Sequence, residues 1–388
     1  MNTTIDTIQD PSMDPNLALA LQRYDSVGAV RGSEPIDVAL INDTYRVRTE
    51  GGNYIAQKIN RFVFRDIEGL MDNYTRVSDH IAKKARARGV PEECIMQVIR
   101  TSTDNSFVEV GEDGEPEAWR LLTEVADGQS PEKVENYDQA YVVARTFGQF
   151  TGDLDDFPAE ELNETIPDFH NTPKYYDKLV KAKENSAVVD PEADELYERF
   201  AAQRSGYGVI MEGLASGEIP TRVAHNDTKA NNAYVYIDPE NPANNTPITA
   251  LDRDTVMPGS VLFDFGDGAR SACNNGEEDD VDLDNVYLRQ DLFAGWVAGY
   301  FRGMRDRGVS FSDSEIDHMV DSVKLIADEL SMRFLTDYYN GNVYFKTDPE
   351  RAKHNLERAK AQFKLAQYIE DHREELQAIV DQERQSAA

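Results

Sequence analysis

The sequence predicts an α+β protein of two lobes, with a small β-rich N-terminal lobe and a larger, mainly helical C-terminal lobe. Up to about residue 124, alternating apolar and polar residues and Gly-containing turns predict short strands around one amphipathic helix. Beyond residue 125, helical spacing dominates, and the loops between short β segments are rich in Asp, Asn and Gly. The 388 residues are enough for two such lobes with a cleft between them.

In the N-terminal lobe, which we place at residues 17–124, a β-hairpin is predicted first. Residues 44–48 and 53–59 alternate around a Glu-Gly-Gly-Asn turn, and apolar residues then recur at helical spacing over residues 66–88. Further strands are expected at residues 94–100, 106–110 and 118–125. Residues 1–16 are polar and acidic, and we expect them to be disordered.

In the C-terminal lobe, placed at residues 125–388, apolar residues recur at the spacing of helices. The expected helices cover about residues 137–147, 190–213, 283–307, 313–338 and 350–384. Short β segments are expected between them, at residues 233–237, 248–251 and 261–263.

The charge balance excludes several function classes. Asp and Glu number 72 against 40 Lys and Arg, a net charge of −32 that repels nucleic acid and anionic lipid. The two cysteines form no disulfide framework, and no signal peptide or membrane-spanning segment is recognisable, because the most apolar run, residues 292–301, is too short. We therefore expect a cytoplasmic protein; the sequence leaves its oligomeric state open.

The most informative segment is His-Asn-Asp-Thr-Lys-Ala-Asn-Asn at residues 225–232, which directly precedes a predicted strand. A second acidic loop follows with Asp252 and Asp254. Phosphoryl transfer needs such residues: a carboxylate that accepts the proton of a hydroxyl, amide and carboxylate oxygens that hold Mg²⁺, and a lysine that offsets phosphate charge. A polar turn whose Asp and Asn cap local backbone is the alternative, but it does not explain the whole spacing.

These residues resemble the catalytic loop of the aminoglycoside-phosphotransferase and choline-kinase superfamily, and more narrowly the N-acetylhexosamine 1-kinases within it. Matching stretches cover roughly residues 25–380 in order; they lie at residues 41–45, 70–73, 164–170, 225–232, 254–259, 262–267, 332–338 and 343–345. The resemblance implies a two-lobed, protein-kinase-like fold, with ATP and Mg²⁺ as cofactors.

Carried onto this sequence, the resemblance implies that Asp227 is the catalytic base and that Asn232 and Asp252 bind the metal. Lys229 would lie near the transferred phosphate, and His225 would brace the loop from behind. Asp264, Phe265 and Gly266 spell the metal motif of protein kinases, but they lie beyond the Asp252 loop. We therefore expect Asp264 to hold the catalytic loop, with a substrate contact as the weaker alternative.

For the nucleotide, the candidates are Lys58 together with Asn42 and Thr44. Lys58 lies on a strand that resembles the phosphate-binding Val-Ala-Ile-Lys strand of protein kinases, and its acidic partner would be Glu68 or Asp72; a solvated strand lysine is the alternative. The chain departs from the N-acetylhexosamine kinases at residues 37–40, where their Gly-rich, His-containing turn is absent and Leu40 replaces the His. That departure allows a changed acceptor pocket, weaker nucleotide binding or a degraded relative.

For the acceptor, the candidates are Asp254, Arg333 and, as above, Asp264. Asp254 is equally consistent with a supporting role or an exposed loop carboxylate, and Arg333 with an ordinary surface ion pair to Asp337. The predicted activity is phosphorylation of a sugar hydroxyl, best the anomeric hydroxyl of an N-acetylhexosamine. The alternatives are a kinase of choline, an amino acid, another sugar or an aminoglycoside, and a non-catalytic nucleotide- or sugar-binding relative.

Overall fold

A computed structural model of the chain describes residues 13–36, 41–111 and 116–387. It divides into two compact units, each described here by itself. The first unit contains Met1–Gly128 together with two later segments, Glu160–Ile166 and Arg253–Met257. The second contains Gln129–Ala159, Pro167–Asp252 and Pro258–Ala388. Of the segment expected to be disordered, residues 1–12 lie outside the description, whereas Met13 is buried and α1 begins at Pro15.

The first unit is built on a five-stranded antiparallel sheet in the order β1-β2-β3-β5-β4. The predicted hairpin is confirmed, because β2 and β3 pair directly across the Gly-Gly turn. The predicted helix is confirmed as α2, and Asp66 caps it by accepting a hydrogen bond from the backbone N–H of Gly69. The elements are α1 (Pro15–Leu21), β1 (Val30–Pro35), β2 (Asp43–Thr49), β3 (Asn53–Ile59), α2 (Ile67–Ala87), β4 (Val108–Val110) and β5 (Glu117–Thr123).

The strand predicted at residues 94–100 is wrong. A 3₁₀ turn at Glu92–Cys94 opens this segment, which then makes only an isolated bridge from Val98 to Leu122 and two backbone bonds to the end of β5. The reason is competition for the same edge, since β4 pairs with the first half of β5 and leaves too short a partner for a full strand. Only the last three residues of the strand predicted at 106–110 form β4.

The second unit is mainly helical and contains two small sheets, β6 with β9 and β7 with β8. Most predicted helices are present, although three of them are broken by a turn, as at His318 and His372. The elements are α3 (Tyr137–Asp153), α4 (Thr172–Asn185), α5 (Pro191–Gln203), α6 (Val209–Ser216), β6 (Arg222–Ala224), β7 (Ala233–Tyr236), β8 (Thr246–Ala250), β9 (Met257–Gly259), α7 (Val261–Ala272), α8 (Gln290–Arg305), α9 (Asp313–Asp317), α10 (Met319–Tyr339), α11 (His354–Asp371) and α12 (Arg373–Ala387).

The strand predicted at residues 261–263 is wrong as well, because these residues open helix α7. Ser260 caps the helix by accepting a hydrogen bond from the N–H of Leu262, and Gly266 lets its backbone approach α10. A Cβ atom at Gly266 would lie 2.6 Å from the backbone oxygen of Ser322. A short apolar run does not distinguish a buried strand from a buried helix, and α7 is buried almost all round. Asp264 and its neighbours therefore lie inside a helix.

In the described part of the chain, none of the helices combines the length and apolar character needed to cross a membrane.

Candidate active site

The loop at residues 225–232, hereafter the Asp227 loop, connects β6 to β7 and is held by the first turn of α7. The buried carboxylate of Asp264 accepts hydrogen bonds from the backbone N–H groups of His225 at 2.8 Å and Asn226 at 2.7 Å. The hydroxyl of Thr228 donates to the Asp264 carbonyl at 2.6 Å. Burial raises the pKa of Asp264 to about 7, although the two N–H donors act in the opposite direction. Asp264 thus lies behind the loop and accepts two of its backbone N–H groups.

A second carboxylate on the same helix supports the loop one turn later, and the sequence analysis gave it no role. Asp267 accepts the backbone N–H of Thr228 at 2.9 Å and a guanidinium N–H of Arg270 at 2.8 Å. Burial favours the neutral acid, but Arg270 and the other donors outweigh burial and hold the pKa of Asp267 below its usual value. The Asp-x-x-Asp spacing would have identified Asp267, had residues 261–272 been predicted as a helix.

His225 is fully buried behind the loop. Its Nε2 donates to the carbonyl of Leu251 at 2.8 Å, because a carbonyl can only accept. The rings of His225 and Phe150 pack in a T-shaped arrangement with their centroids 5.1 Å apart. Through Leu251, His225 links the Asp227 loop to the end of β8.

Three side chains of the loop converge in the structure. The amide nitrogen of Asn232 donates to the carbonyl and the Oδ2 of Asp227, at 2.8 and 2.9 Å, and the Nζ of Lys229 lies 3.0 Å from the same Oδ2. Burial lowers the pKa of Lys229, but the charges of Asp227 and Asp252 outweigh burial and hold that pKa above its usual value. Lys229 is therefore a cation, and the side chains of Asp227 and Lys229 keep about a quarter of their surface exposed.

The β7–β8 hairpin brings Asp252 to this cluster. Ala233 pairs with Ala250, and the N–H of Leu251 donates to the carbonyl of Asn232 at 2.8 Å. Asn232 and Asp252 therefore flank the same end of the hairpin, and Asp252 has a left-handed backbone with φ +50°. Its negative charge is one of the causes that raise the Lys229 pKa.

These residues fit a hard divalent cation that is shared with a phosphate. The Asn232 nitrogen is turned towards Asp227, so its amide oxygen is the atom of this side chain that a metal can use, next to the Asp252 carboxylate. Within the described ranges, no group of three or more His, Cys, Asp or Glu side chains is arranged to hold a metal ion. One carboxylate and one amide oxygen are compatible with a hard divalent cation that completes its shell with water.

In the first unit, Lys58 lies on the sheet face that carries α1. It is registered opposite Asp43 and Trp119, and Trp119 packs with α1 in one apolar core. Its Nζ lies 2.6 Å from Asp43 and 3.6 Å from Glu117, and the hydrogen bond that it donates to Asp43 raises the pKa of Lys58. The predicted pairing with Glu68 or Asp72 is wrong, because both acids belong to α2 and α2 covers the opposite face.

The α2 face carries a different cation, Arg120 of β5, which the sequence analysis missed. Its guanidinium lies 4.2 Å from the ring centre of Tyr74 on α2, forms an ion pair with Asp254 and donates to Gln57. The side chains of Arg120 and Asp254 are 0% and 2% exposed. The interpretation of Asp254 as an exposed loop carboxylate is therefore wrong. Nothing in the sequence pattern signals this pair, because 134 residues separate its members.

Asn42 and Thr44, the other nucleotide candidates, belong to the same buried network. The amide nitrogen of Asn42 donates to Asp254 at 2.7 Å and its oxygen accepts the N–H of Asn60 at 3.0 Å. Thr44 donates to the Asn42 carbonyl and accepts from Gln57, each at 3.2 Å. The altered turn at residues 37–40 lies outside the described residues.

Arg333 lies among aromatic rings in the second unit. Its guanidinium carbon is 6.0, 5.6 and 5.6 Å from the ring centres of Phe169, Tyr175 and Phe345. The interpretation as a surface ion pair with Asp337 is wrong. Asp337 is buried, and its two oxygens accept the N–H groups of Val343, Tyr344 and Phe345 and the amide of Asn355.

Comparison with known proteins agrees with this architecture. The sequence profile of the phosphotransferase enzyme family matches residues 33–303, more than half of the chain. Among solved structures, a microcompartment-associated aminopropanol kinase superposes with a TM-score of 0.60 at 16% identity, covering 94% of this chain and 98% of that one.

Two further solved structures superpose with a TM-score of 0.54 and 13% identity each. One is an aminoglycoside phosphotransferase from Alicyclobacillus acidocaldarius, with 96% of this chain and 99% of that one covered. The other is an amicoumacin kinase in complex with AMP-PNP, Ca²⁺ and Ami, with 92% and 94% covered. At these identities the similarity establishes a common fold.

Proposed function

Because the chain belongs to the phosphotransferase enzyme family, we propose that it is an ATP-dependent kinase of a hydroxyl group on a small molecule. The observation that carries the proposal is the cluster of Asp227, Lys229 and Asn232 beside Asp252. The loop that holds it is fixed from behind by two buried carboxylates and a histidine. Such pre-organisation suits phosphoryl transfer, in which positioning and electrostatics supply most of the catalysis.

In the proposed reaction, Asp227 orients the acceptor hydroxyl and takes its proton as the oxygen attacks the γ-phosphorus of ATP. The bond from that phosphorus to the β–γ bridging oxygen breaks, and ADP leaves with the electron pair. Lys229, which Asp227 and Asp252 keep protonated, offsets the charge on the transferred phosphoryl group. Asn232 and Asp252 would hold a divalent ion, which would neutralise negative charge on the phosphates when bound. The amicoumacin kinase complex, with AMP-PNP and Ca²⁺, supports this nucleotide–metal pairing.

For the acceptor we propose a sugar, best the anomeric hydroxyl of an N-acetylhexosamine. Arg333 and the rings of Phe169, Tyr175 and Phe345 support this proposal, since aromatic faces and a guanidinium suit the apolar and polar sides of a sugar ring. The aminopropanol kinase favours an amino alcohol as the second candidate. The fixed positive charge of Arg333 argues against a cationic acceptor at these rings.

The test is ATP turnover with a panel of sugars and amino alcohols, followed by identification of the product by phosphorus NMR. We expect a sugar 1-phosphate from an N-acetylhexosamine, and a loss of about 10²–10⁴-fold in kcat for Asp227→Asn. The matched control is Asp138→Asn, which changes an exposed carboxylate in the first turn of α3 and should retain full activity. If the wild-type protein binds nucleotide but forms no product even at high enzyme concentration, it is a non-catalytic relative of these kinases.

A further inference from the structure

A buried histidine outside the Asp227 loop contacts that loop one residue before the proposed base. The Nε2 of His170 lies 3.1 Å from the carbonyl oxygen of Asn226, and its Nδ1 lies 3.0 Å from Oε1 of Glu329 on α10. Both side chains are almost completely buried, at 5% and 2% exposure. The other Glu329 oxygen accepts a hydrogen bond from Thr172 at 3.4 Å.

Both backbones at this contact are in a conformation that L-residues rarely adopt. Asn226 has φ +64° and His170 has φ +57°. A left-handed residue other than glycine persists only where its surroundings hold it. At Asn226 they do so from two sides, because Asp264 accepts its N–H and His170 meets its carbonyl. This peptide directly precedes Asp227, so its orientation sets the direction of the Asp227 side chain.

The hydrogen bonds of His170 and Glu329 require one proton more than a neutral imidazole and an ionised carboxylate supply. The Asn226 carbonyl only accepts, so the Nε2 of His170 must be protonated. A neutral ring would then present a lone pair on Nδ1 to the ionised Glu329 carboxylate, and two acceptors would face each other in a buried site. The contact is satisfied only when a second proton lies between Nδ1 and Glu329.

The charged groups around His170 favour this proton. The negative charges that act on His170 are Glu329 on α10 and Asp264 and Asp267 on α7. Two arginines offset part of this charge, because Arg270 pairs with Asp267 and Arg333 lies near Glu329 on α10. Burial lowers the pKa of His170, but Glu329 and Asp267 outweigh burial and hold it above its usual value of about 6.5. Because the pKa is raised by folding, the stabilisation is complete below pH 6.5 and disappears as the pH rises through the folded-state pKa.

Building on the proposed function, we infer that His170 is a positioning residue for phosphoryl transfer, and that the proton it shares with Glu329 locks the Asn226 peptide and thereby aims Asp227. Loss of that proton at alkaline pH releases the peptide. The turnover number then falls, while ATP binding, which involves other groups, is unaffected.

One test measures the protonation state of the His170 ring directly in the wild-type protein. In ¹⁵N-histidine NMR at neutral pH, the His170 signals, assigned by their absence from His170→Gln, should show both ring nitrogens protonated. A neutral ring at pH 7 would overturn the inference.

The second test is the pH dependence of kcat with the best substrate. Wild-type kcat should fall at alkaline pH with a constant KM for ATP. In Glu329→Gln, the amide N–H donates to a neutral Nδ1, so His170 keeps its bond to Asn226 and the alkaline fall should disappear. His170→Phe should lower kcat about 100-fold. The matched control is His318→Gln, which removes a similar histidine–carboxylate pair with Asp321, whose side chains are 25% and 20% exposed, and should keep the wild-type profile.

The outcomes separate the two proposals. An active wild type whose alkaline fall persists unchanged in Glu329→Gln overturns the positioning role of His170 and leaves the kinase proposal standing. A wild type that turns over no substrate in the panel overturns the proposed function, and the positioning role with it.

Discussion

Two pairs of an aspartate with a cation, one in each unit, differ in what surrounds them. Asp227 and Lys229 lie two residues apart in the sequence, and their side chains are 25% and 27% exposed. Asp254 and Arg120 come from distant parts of the chain and are almost completely buried. The exposed pair can exchange its partner for a substrate, whereas the buried pair cannot do so without leaving a charge unpaired in the interior.

The difference shows that residue type alone does not identify a site. Asp252 and Asp254 are two residues apart in one acidic loop, yet Asp252 belongs to the unit with the Asp227 loop and Asp254 to the other. The first is close enough to Lys229 to raise its pKa, and the second is an internal counter-ion of the β-sheet unit. Accessibility to a ligand separates their roles, and the following predictions test that separation.

The largest expected effect on stability comes from breaking the buried pair. Asp254→Leu leaves the Arg120 guanidinium buried without its anion and should destabilise the first unit by about 3–5 kcal/mol. Replacing both partners in Arg120→Met/Asp254→Leu should recover much of that loss, because no unpaired charge remains. Denaturant unfolding followed by tryptophan fluorescence measures both variants, since Trp119 lies in this unit. Equal losses in the single and double variants would contradict the role of the pair.

The exposed pair should behave in the opposite way. Lys229→Met removes the cation beside Asp227 and should lower kcat by about 10²–10³-fold. The free energy of unfolding should change by only about 0–1 kcal/mol, because the pair is partly solvated. The matched control is Lys133→Met, which removes an exposed lysine paired with Glu277 in the same unit. Full activity in Lys229→Met would remove this residue from the mechanism.

Removing the divalent metal should lower nucleotide affinity at the partly exposed site around Asp227 and should leave the buried Arg120–Asp254 pair unaffected. Because a protein of net charge −32 must bind polyanionic ATP, we expect nucleotide affinity to fall sharply in EDTA compared with Mg²⁺. Asp252→Asn should reduce this metal dependence, whereas Asp138→Asn should not. Isothermal titration calorimetry with a non-hydrolysable ATP analogue measures it, and equal affinity with and without chelator would count against the metal site.

The smallest effect is expected at Lys58. This lysine is 30% exposed and pairs with Asp43 on the α1 face of the sheet, so Lys58→Met should change the free energy of unfolding by about 0–1 kcal/mol. We expect an unchanged KM for ATP. A rise of about tenfold or more would instead assign Lys58 to a charge-assisted phosphate contact, as the resemblance to a kinase strand suggests.

Much of the fold and the centre of the site could be predicted because the signals are local. The β2–β3 hairpin follows from a Gly-Gly turn between alternating residues, and α2 follows from its apolar spacing. Asp227, Lys229 and Asn232 lie within six residues, so the chain itself limits how far apart they can lie. The family profile confirms the class of enzyme that this spacing indicates.

The predictions from sequence that were wrong concern features that depend on packing between distant parts of the chain. Alternation correctly puts Ala56 and Lys58 on one face, but which face α2 covers is decided by side chains from elsewhere, so the partner of Lys58 was misassigned. The apolar run at residues 261–263 opens a helix that is buried almost all round, and such a short run does not distinguish a buried helix from a buried strand. The contacts of Arg120 with Asp254 and of His170 with Asn226 span 134 and 56 residues, beyond the reach of any local pattern.

In the β7–β8 hairpin, the distance between the site residues does not depend on the length of the connecting turn. Asn232 and Asp252 are juxtaposed by the pairing of Ala233 with Ala250, and the residues between the strands turn at the opposite end, through the exposed 3₁₀ turn Pro242–Asn244. Insertions at that turn leave the active end in register. It is therefore the natural place to graft a fluorescent reporter or an affinity tag into the enzyme without disturbing its chemistry.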